Sequence, residues 1–133
     1  MIRIVDASAV GAVLLVEPEA DWVNAQTDGE ELYASSVLPF EVGNIFWKRL
    51  RRPTADVEGL MAIWSAWTES LPLRLMLSNA PSVLRLARQT GLTFYDASYV
   101  QLALDLDGDL ISLDQKLLSV ARGVGVRAPM PMP

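Results

Sequence analysis

The sequence predicts a single three-layer α/β/α domain built on a central parallel sheet of about five short strands. The first observation is alternation. Short strand-like runs (IRIV at 2–5, LYAS at 32–35, LRL at 73–75, DLISL at 109–113, VRA at 126–128) are separated by longer segments of helical spacing. That order places crossover helices between parallel strands and covers both faces of the sheet. The second observation is length: 133 residues fall within the range of one domain with one core. The third is the lack of an internal repeat, a low-complexity linker or a break in composition. Residues 1–130 are therefore expected as one domain, with a proline-rich tail at 131–133 outside the core.

The elements follow in order. The first strand ends in an acid, Asp6. The apolar stretch from Ala9 to Val16, preceded by Ser8, is too long for a buried strand and is expected as a helix. Pro18 opens a second short helix that passes Trp22 and Val23 and ends near Gly29. After the second strand, Ser36 is placed to cap a helix that tolerates Pro39 in its first turns and stops near Leu50, before Pro53. Thr54 is the expected cap of a long amphipathic helix in which Val57, Leu60, Met61, Trp64, Trp67 and Leu71 recur at spacings of three and four. The Met61–Trp64–Trp67 stripe is expected in the core, with a dimer or partner groove as its alternative use. A helix from Asn79 to Thr90, stopped by Gly91, precedes another from Phe94 to Leu106 that carries Asp96 at its start. Asp114 begins the last helix, which Gly123 can end.

Composition narrows the chemistry. The chain has no cysteine and no histidine. Thiol nucleophiles, zinc knuckles, Ser-His-Asp triads and imidazole acid–base pairs are excluded, and carboxylates, hydroxyls, Lys, Arg or a metal remain. No apolar stretch reaches the roughly 20 residues that span a bilayer. The start, MIRIVDAS, does not read as a signal peptide, so a cytoplasmic protein without a membrane partner is expected. The net charge of −5 means that a nucleic-acid partner would need a local basic patch or bound cations. Lys48, Arg49, Arg51 and Arg52 form one such patch, read either as a solvated helix end or as a contact for RNA or a partner.

Four acids fall where a site is expected. Asp6 ends the first strand, Glu41 lies in the first turns of the helix after the second strand, Asp96 opens a helix, and Asp114 follows the DLISL strand. In an open α/β sheet, ligands bind beyond the carboxyl ends of the strands, and all four acids are candidates for that edge. Clustered carboxylates require compensating cations, and hard oxygen donors suit Mg²⁺ or Mn²⁺. Each acid also has a plainer reading: Asp6, Asp96 and Asp114 as helix caps, Glu41 as a structural residue. Glu41 has no basic residue one turn away, and Asn44 shares its face at i+3. Ser8 and Ser112 can hydrogen-bond the acids or metal-bound water, or cap chain ends.

VDASA at 5–9, PFEVGN at 39–44, YDASYVQLA at 95–103 and ISLDQKL at 111–117 resemble the four acidic blocks of PIN-domain nucleases, and in particular of VapC-type toxins of bacterial type II toxin–antitoxin systems. The resemblance covers nearly the whole chain, in order. It implies a PIN-like fold and an Mg²⁺- or Mn²⁺-dependent endoribonuclease with one or two ions, dimerisation, and neutralisation by a cognate antitoxin. Asp6, Glu41, Asp96 and Asp114 fall on the acidic positions, both catalytic and metal-binding, with Ser8, Asn44 and Ser112 in support. Ser112 stands where the fourth block usually has threonine. Gln115 and Lys116 follow Asp114 where the family often carries another acid, which weakens the case for a second ion. Three rival functions stay open: a phosphotransferase or phosphatase using Asp6 as nucleophile, a PIN nuclease of housekeeping RNA processing, and a non-catalytic interaction module.

Overall fold

A computed structural model describes residues 1–131. It holds four strands and seven helices among those residues: β1 Ile2–Val5, α1 Ala7–Leu14, α2 Ala20–Thr27, β2 Glu31–Ser35, α3 Leu38–Leu50, α4 Val57–Ser70, β3 Arg74–Met76, α5 Ala80–Thr90, α6 Phe94–Leu106, β4 Asp109–Ile111 and α7 Gln115–Gly123. The sheet order is β3-β2-β1-β4 and every pair is parallel. The steps from β1 to β2 and from β2 to β3 run one way across the sheet, and the return from β3 to β4 runs the other way. Right-handed crossovers therefore place α1–α4 on one face and α5 and α6 on the opposite face. The packing agrees: α1 touches α2 and α3, α3 touches α4, and α6 lies on β1, β2 and β4 with α5 against it. The three-layer α/β/α prediction holds.

The strand count is four, one fewer than expected. Residues 126–128 form no strand: the Arg127 carbonyl accepts from the Leu110 amide at 2.9 Å, the Val126 amide turns back to the Ala121 carbonyl at 3.0 Å, and arginine side chains supply further bonds. Of the expected tail at 131–133, residues 132 and 133 lie outside the described residues. Several helix starts also differ. Helix α1 begins at Ala7 because Asp6, not Ser8, caps it by accepting from the Ala9 amide. Helix α3 has Val37 at its N-cap with no side-chain bond, so Ser36 is not a cap, although Pro39 sits in the first turn as expected. Helix α4 is capped by Asp56, which accepts from Gly59 at 3.1 Å, rather than by Thr54. Helix α6 is capped by Thr93, whose hydroxyl accepts from the Asp96 amide.

The core gathers Ile4, Val5, Ala34, Leu38, Val42, Phe46, Val83, Val100, Leu110, Ile111 and Leu118 on the two faces of the sheet. Trp67 is buried and Trp64 packs between it and Phe46, with ring centroids 5.7 and 5.6 Å away, while Met61 is exposed. The tryptophans thus belong mainly to the core. Helix α3 is wedged between two neighbours by glycines. A Cβ on Gly11 of α1 would lie 3.1 Å from Ile45, and one on Gly43 would lie 3.2 Å from the Trp64 ring. These close approaches set the depth of α3, and with it the position of Glu41.

Candidate active site

The carboxyl ends of the strands carry a buried polar row. Val5 pairs with Ile111 in register, and the ladder continues one step as the Asp6 amide donates to the Ile111 carbonyl at 3.3 Å. Asp6 therefore stands beside Ser112, at the place where the chain's travel across the sheet reverses direction. Asp6 is only 6% exposed, and both its oxygens are held: Oδ1 accepts from Ser8 Oγ at 2.6 Å and from the Ala9 amide at 3.1 Å, and Oδ2 accepts from Ser112 Oγ at 2.5 Å, which leaves Oδ2 a lone pair for a further partner. Each serine hydroxyl in turn accepts a backbone amide, Leu113 to Ser8 at 2.9 Å and Asp114 to Ser112 at 3.0 Å. With both hydroxyl protons committed to Asp6, the two serines tie the β4–α7 turn to the first acid.

The other acids approach from three helices. Glu41 lies in the first turn of α3, half-buried, and its Oε1 accepts from the Tyr99 hydroxyl at 2.7 Å. Asp96 is half-buried in the first turn of α6. Asp114 caps α7, with Oδ1 accepting from the Lys116 and Leu117 amides at 3.0 and 3.1 Å. The capping role expected of Asp114 is thus real, Asp6 combines a cap with the site, and Asp96 is not a cap. Asn44 is exposed on α3 one turn beyond Glu41.

The four acids feel one another. Burial lifts Asp6 above its ordinary value; the Ser112, Ser8 and Ala9 bonds oppose that rise, and the Asp114 charge adds to it. Burial also lifts Glu41, opposed by the Tyr99 bond and reinforced by Asp96 and Asp6. Asp96 rises through burial and the charge of Asp114, with Lys116 pulling the other way. Among the described residues none of the four forms an ion pair. Nor do any three acids there stand close enough together to hold an ion directly. The donor set fits a hard divalent cation nonetheless: it is all oxygen, mutually repelling and scarcely compensated. Mg²⁺ commonly keeps several waters and takes only one or two carboxylates.

Compared with protein families, residues 3–123 match the PIN domain. The chain belongs to the PIN-domain family, in its VapC-type branch. Two relatives come from Pyrobaculum aerophilum. Ribonuclease VapC3 is 30% identical over 86% of this chain and 90% of its own length, and exonuclease VapC9 is 33% identical over 90% of this chain and 86% of its own. Among solved structures, PAE2754 of the same organism is 28% identical with a TM-score of 0.69, covering 96% of this chain and 83% of that one. FitAcB of Neisseria gonorrhoeae is 13% identical with a TM-score of 0.64, covering 98% of each chain, and shows likeness of fold alone.

Some site residues were not singled out from the sequence. Tyr99 holds Glu41, and its position at i+3 from Asp96 was the available signal, since it shares the face of that acid. Ser35 and Ser98, both buried, have hydroxyls 2.7 Å apart, and Ser98 also donates to the Tyr95 carbonyl at 2.5 Å. Ser35 is the last residue of β2 and stands level with Asp6, which follows β1.

The basic patch divides. Arg49 Nη2 donates to Glu17 Oε1 at 2.5 Å, and the Arg51 guanidinium lies 4.7 Å over the Trp47 ring. Lys48, Arg49 and Arg52 line a cavity of about 360 Å³ that reaches Ser8 and Leu113 and also includes Glu17 and Glu19; Arg51 is not part of it. Among the described residues no helix is long and apolar enough to cross a membrane.

Proposed function

We propose that this PIN-domain protein is a metal-dependent endoribonuclease, the toxin of a toxin–antitoxin pair, with Asp6, Glu41, Asp96 and Asp114 as its catalytic acids. The observation that carries the reading is the set of acids at the reversal point of the sheet: burial and neighbouring carboxylates raise Asp6, Glu41 and Asp96, and among the described residues no cation pairs with any of the four. VapC3, a relative over most of the chain, is by name a ribonuclease, which supports the coarser part of the reading.

Asp6, Asp96 and Asp114 would hold one Mg²⁺ or Mn²⁺, through water where direct contact is not made, and Glu41 would complete the set. Such an ion polarises the phosphate and lowers the pKa of water. A second ion is less well supported, because Lys116 already places a positive charge near Asp96. Asp6 is a fixed ligand, since three donors hold its oxygens in place. Glu41 is oriented through one oxygen by Tyr99, and its other oxygen is free to accept the proton of the attacking water. Its raised pKa makes it a stronger base near neutrality. Water adds to phosphorus, the 3′ oxygen leaves and takes a proton from solvent, and Glu41 returns its proton to solvent. Lys48 and Arg52, with no ion pair among the described residues, would hold flanking phosphates on the Ser8 side.

An internal cut is supported by two cavities that adjoin at Ile45, one lined by Ser8 and Leu113 and the other by Ala7 and Glu41, which would give a strand room on more than one side of the cleaved bond. The name of VapC9 supports exonuclease action as the alternative. A circular single-stranded RNA distinguishes them: incubation with protein and Mn²⁺ should yield linear product, and a folded Asp6→Asn control should yield none. Resistance of the circle alongside degradation of linear RNA would mean exonuclease action. No cleavage of either form would sink the reading. Growth arrest on induced expression, relieved by Asp96→Asn and by a co-expressed antitoxin, tests the toxin role. The homodimer is tested by light scattering.

A further inference from the structure

Beside Glu41 a cavity of about 520 Å³ is lined by Ala7, Val37, Phe40, Asn44, Ile45 and Tyr95. Its two aromatic rings are the unusual feature. Phe40 is 80% exposed and Tyr95 56% exposed, although α3 and α6 both have well-populated buried faces that could have taken them. Each ring stands immediately before a site acid, Phe40 before Glu41 in the first turn of α3 and Tyr95 before Asp96 in the first turn of α6. The backbone beneath them is held firmly. The Tyr95 carbonyl accepts from Ser98, which is bonded to Ser35 at the end of β2, and α3 is wedged by its glycine contacts.

We infer that Phe40 and Tyr95 form a seat for one unstacked nucleobase next to the cleaved phosphate. The inference rests on the ribonuclease reading and specifies which part of the substrate this cleft takes. Single-stranded RNA is recognised by splaying bases onto aromatic side chains, which is sequence-tolerant because every base has a π-face. The floor of Ala7, Val37 and Ile45 is apolar like the face of a base, and the Asn44 amide offers both a donor and acceptor to a base edge. The adjoining acids favour a nucleotide over an apolar protein segment, because the group next to the seated ring must bring a phosphate to Glu41 and Asp96. In a duplex the same bases are already stacked and paired, so the seat stays empty.

The test uses full-length Asp6→Asn protein, so that binding is read without cleavage, with a short single-stranded RNA carrying 2-aminopurine at successive positions. One position should quench on binding, and Phe40→Ala and Tyr95→Ala should each abolish that quench and weaken affinity about tenfold. Phe40→Trp should retain both, and replacing the quenched nucleotide by an abasic one should make parent and Phe40→Ala equal. Both rings are exposed, so the thermal midpoint of each variant should match its parent. In the cleavage-competent protein with Mn²⁺, the same variants should cut single-stranded RNA about tenfold more slowly at sub-saturating RNA, in step with the lost affinity. RNA binding by the parent with no quench at any position, or with affinity unaltered in both alanine variants, overturns the base seat while leaving the ribonuclease reading intact. Loss of binding to a protein partner without loss of RNA affinity would assign the rings to that partner and also overturn it. No RNA binding by the parent defeats both readings.

Discussion

Two buried aspartates sit at opposite ends of the β1–β4 strand pair, and their surroundings differ in kind. Asp109 begins β4 opposite Arg3 of β1, accepts from the Arg3 guanidinium, and accepts from Arg127 Nε at 2.7 Å. Asp6 follows β1 at the other end, equally shielded from solvent, yet its donors are two hydroxyls and an amide, all neutral, and the charge that acts on it is that of another acid, Asp114. Asp109 is neutralised by the chain itself and serves the fold. Asp6 is held in place but left charged or protonated according to what arrives from outside. A carboxylate kept for chemistry is therefore marked less by burial than by the source of its counter-charge.

Removing the charge should move stability in opposite directions at the two ends. Asp109→Asn strands Arg3 inside the protein, and unfolding in urea should report a loss of about 3 kcal/mol. An unchanged midpoint would mean that Arg127 and solvent absorb the loss, and the contrast would weaken. Asp6→Asn should abolish cleavage, by on the order of a hundredfold or more, yet raise the thermal midpoint at neutral pH. The folded state raises the pKa of Asp6, so it favours the protonated form. The stability linked to that proton is fully present below the unfolded value and is lost as pH rises through the folded value. Asn mimics the protonated form and escapes the loss, so the gap between variant and parent should close on acidification. Mn²⁺ should stabilise the parent and not the variant. A lower midpoint for Asp6→Asn at neutral pH would show that its hydrogen bonds outweigh its charge.

Tyr99→Phe probes the same contrast more gently. The Tyr99 hydroxyl opposes the rise of Glu41, and its removal should lift that acid further. Cleavage requires ionised carboxylates, so activity should fall as pH drops through their raised values, with an acid limb above the usual carboxylate range. In Tyr99→Phe that limb should lie at higher pH, with activity at neutral pH down about tenfold. An identical pH–rate profile would remove Glu41 from the proton path.

The acid-bearing ends were legible in the sequence because strand ends and helix starts are local features: IRIV running into Asp6 and DLISL running into Asp114 mark the sheet edge without knowledge of the partners. The Asp109–Arg3–Arg127 cluster was not, since its bonds span 106 and 18 positions and form only once β1 and β4 are in register. The Glu41–Tyr99 bond failed to appear for the same reason, being made across 58 positions between two helices. The fifth strand was over-read from VRA: its β-branched residue suits a strand, but Arg127 is spent on Asp109 and Asp107, and only one backbone bond to β4 forms. Helix caps differ by two or three residues where two polar residues compete, as with Thr54 and Asp56 or Asp96 and Thr93, because both satisfy the same local rule.

The comparison extends to the cations, with the smallest expected effect. Arg49 is satisfied within the fold by Glu17 and Arg51 rests on Trp47, whereas Lys48 and Arg52 line the cavity beside Ser8 with no acid bonded to them among the described residues. If charges left unsatisfied by the fold are the ones that meet substrate, then Lys48→Ala and Arg52→Ala should each lower the salt dependence of single-stranded RNA binding by about 0.7 in log–log slope, and together by about 1.4. Arg51→Ala should leave the slope within error despite removing the same charge from the same four-residue patch. Fluorescence anisotropy across a salt series on Asp6→Asn protein measures all three. Equal slopes for the Lys48, Arg51 and Arg52 variants would mean that the patch acts as a diffuse field, and that partner geometry, decisive for Asp6 and Asp109, does not sort its cations.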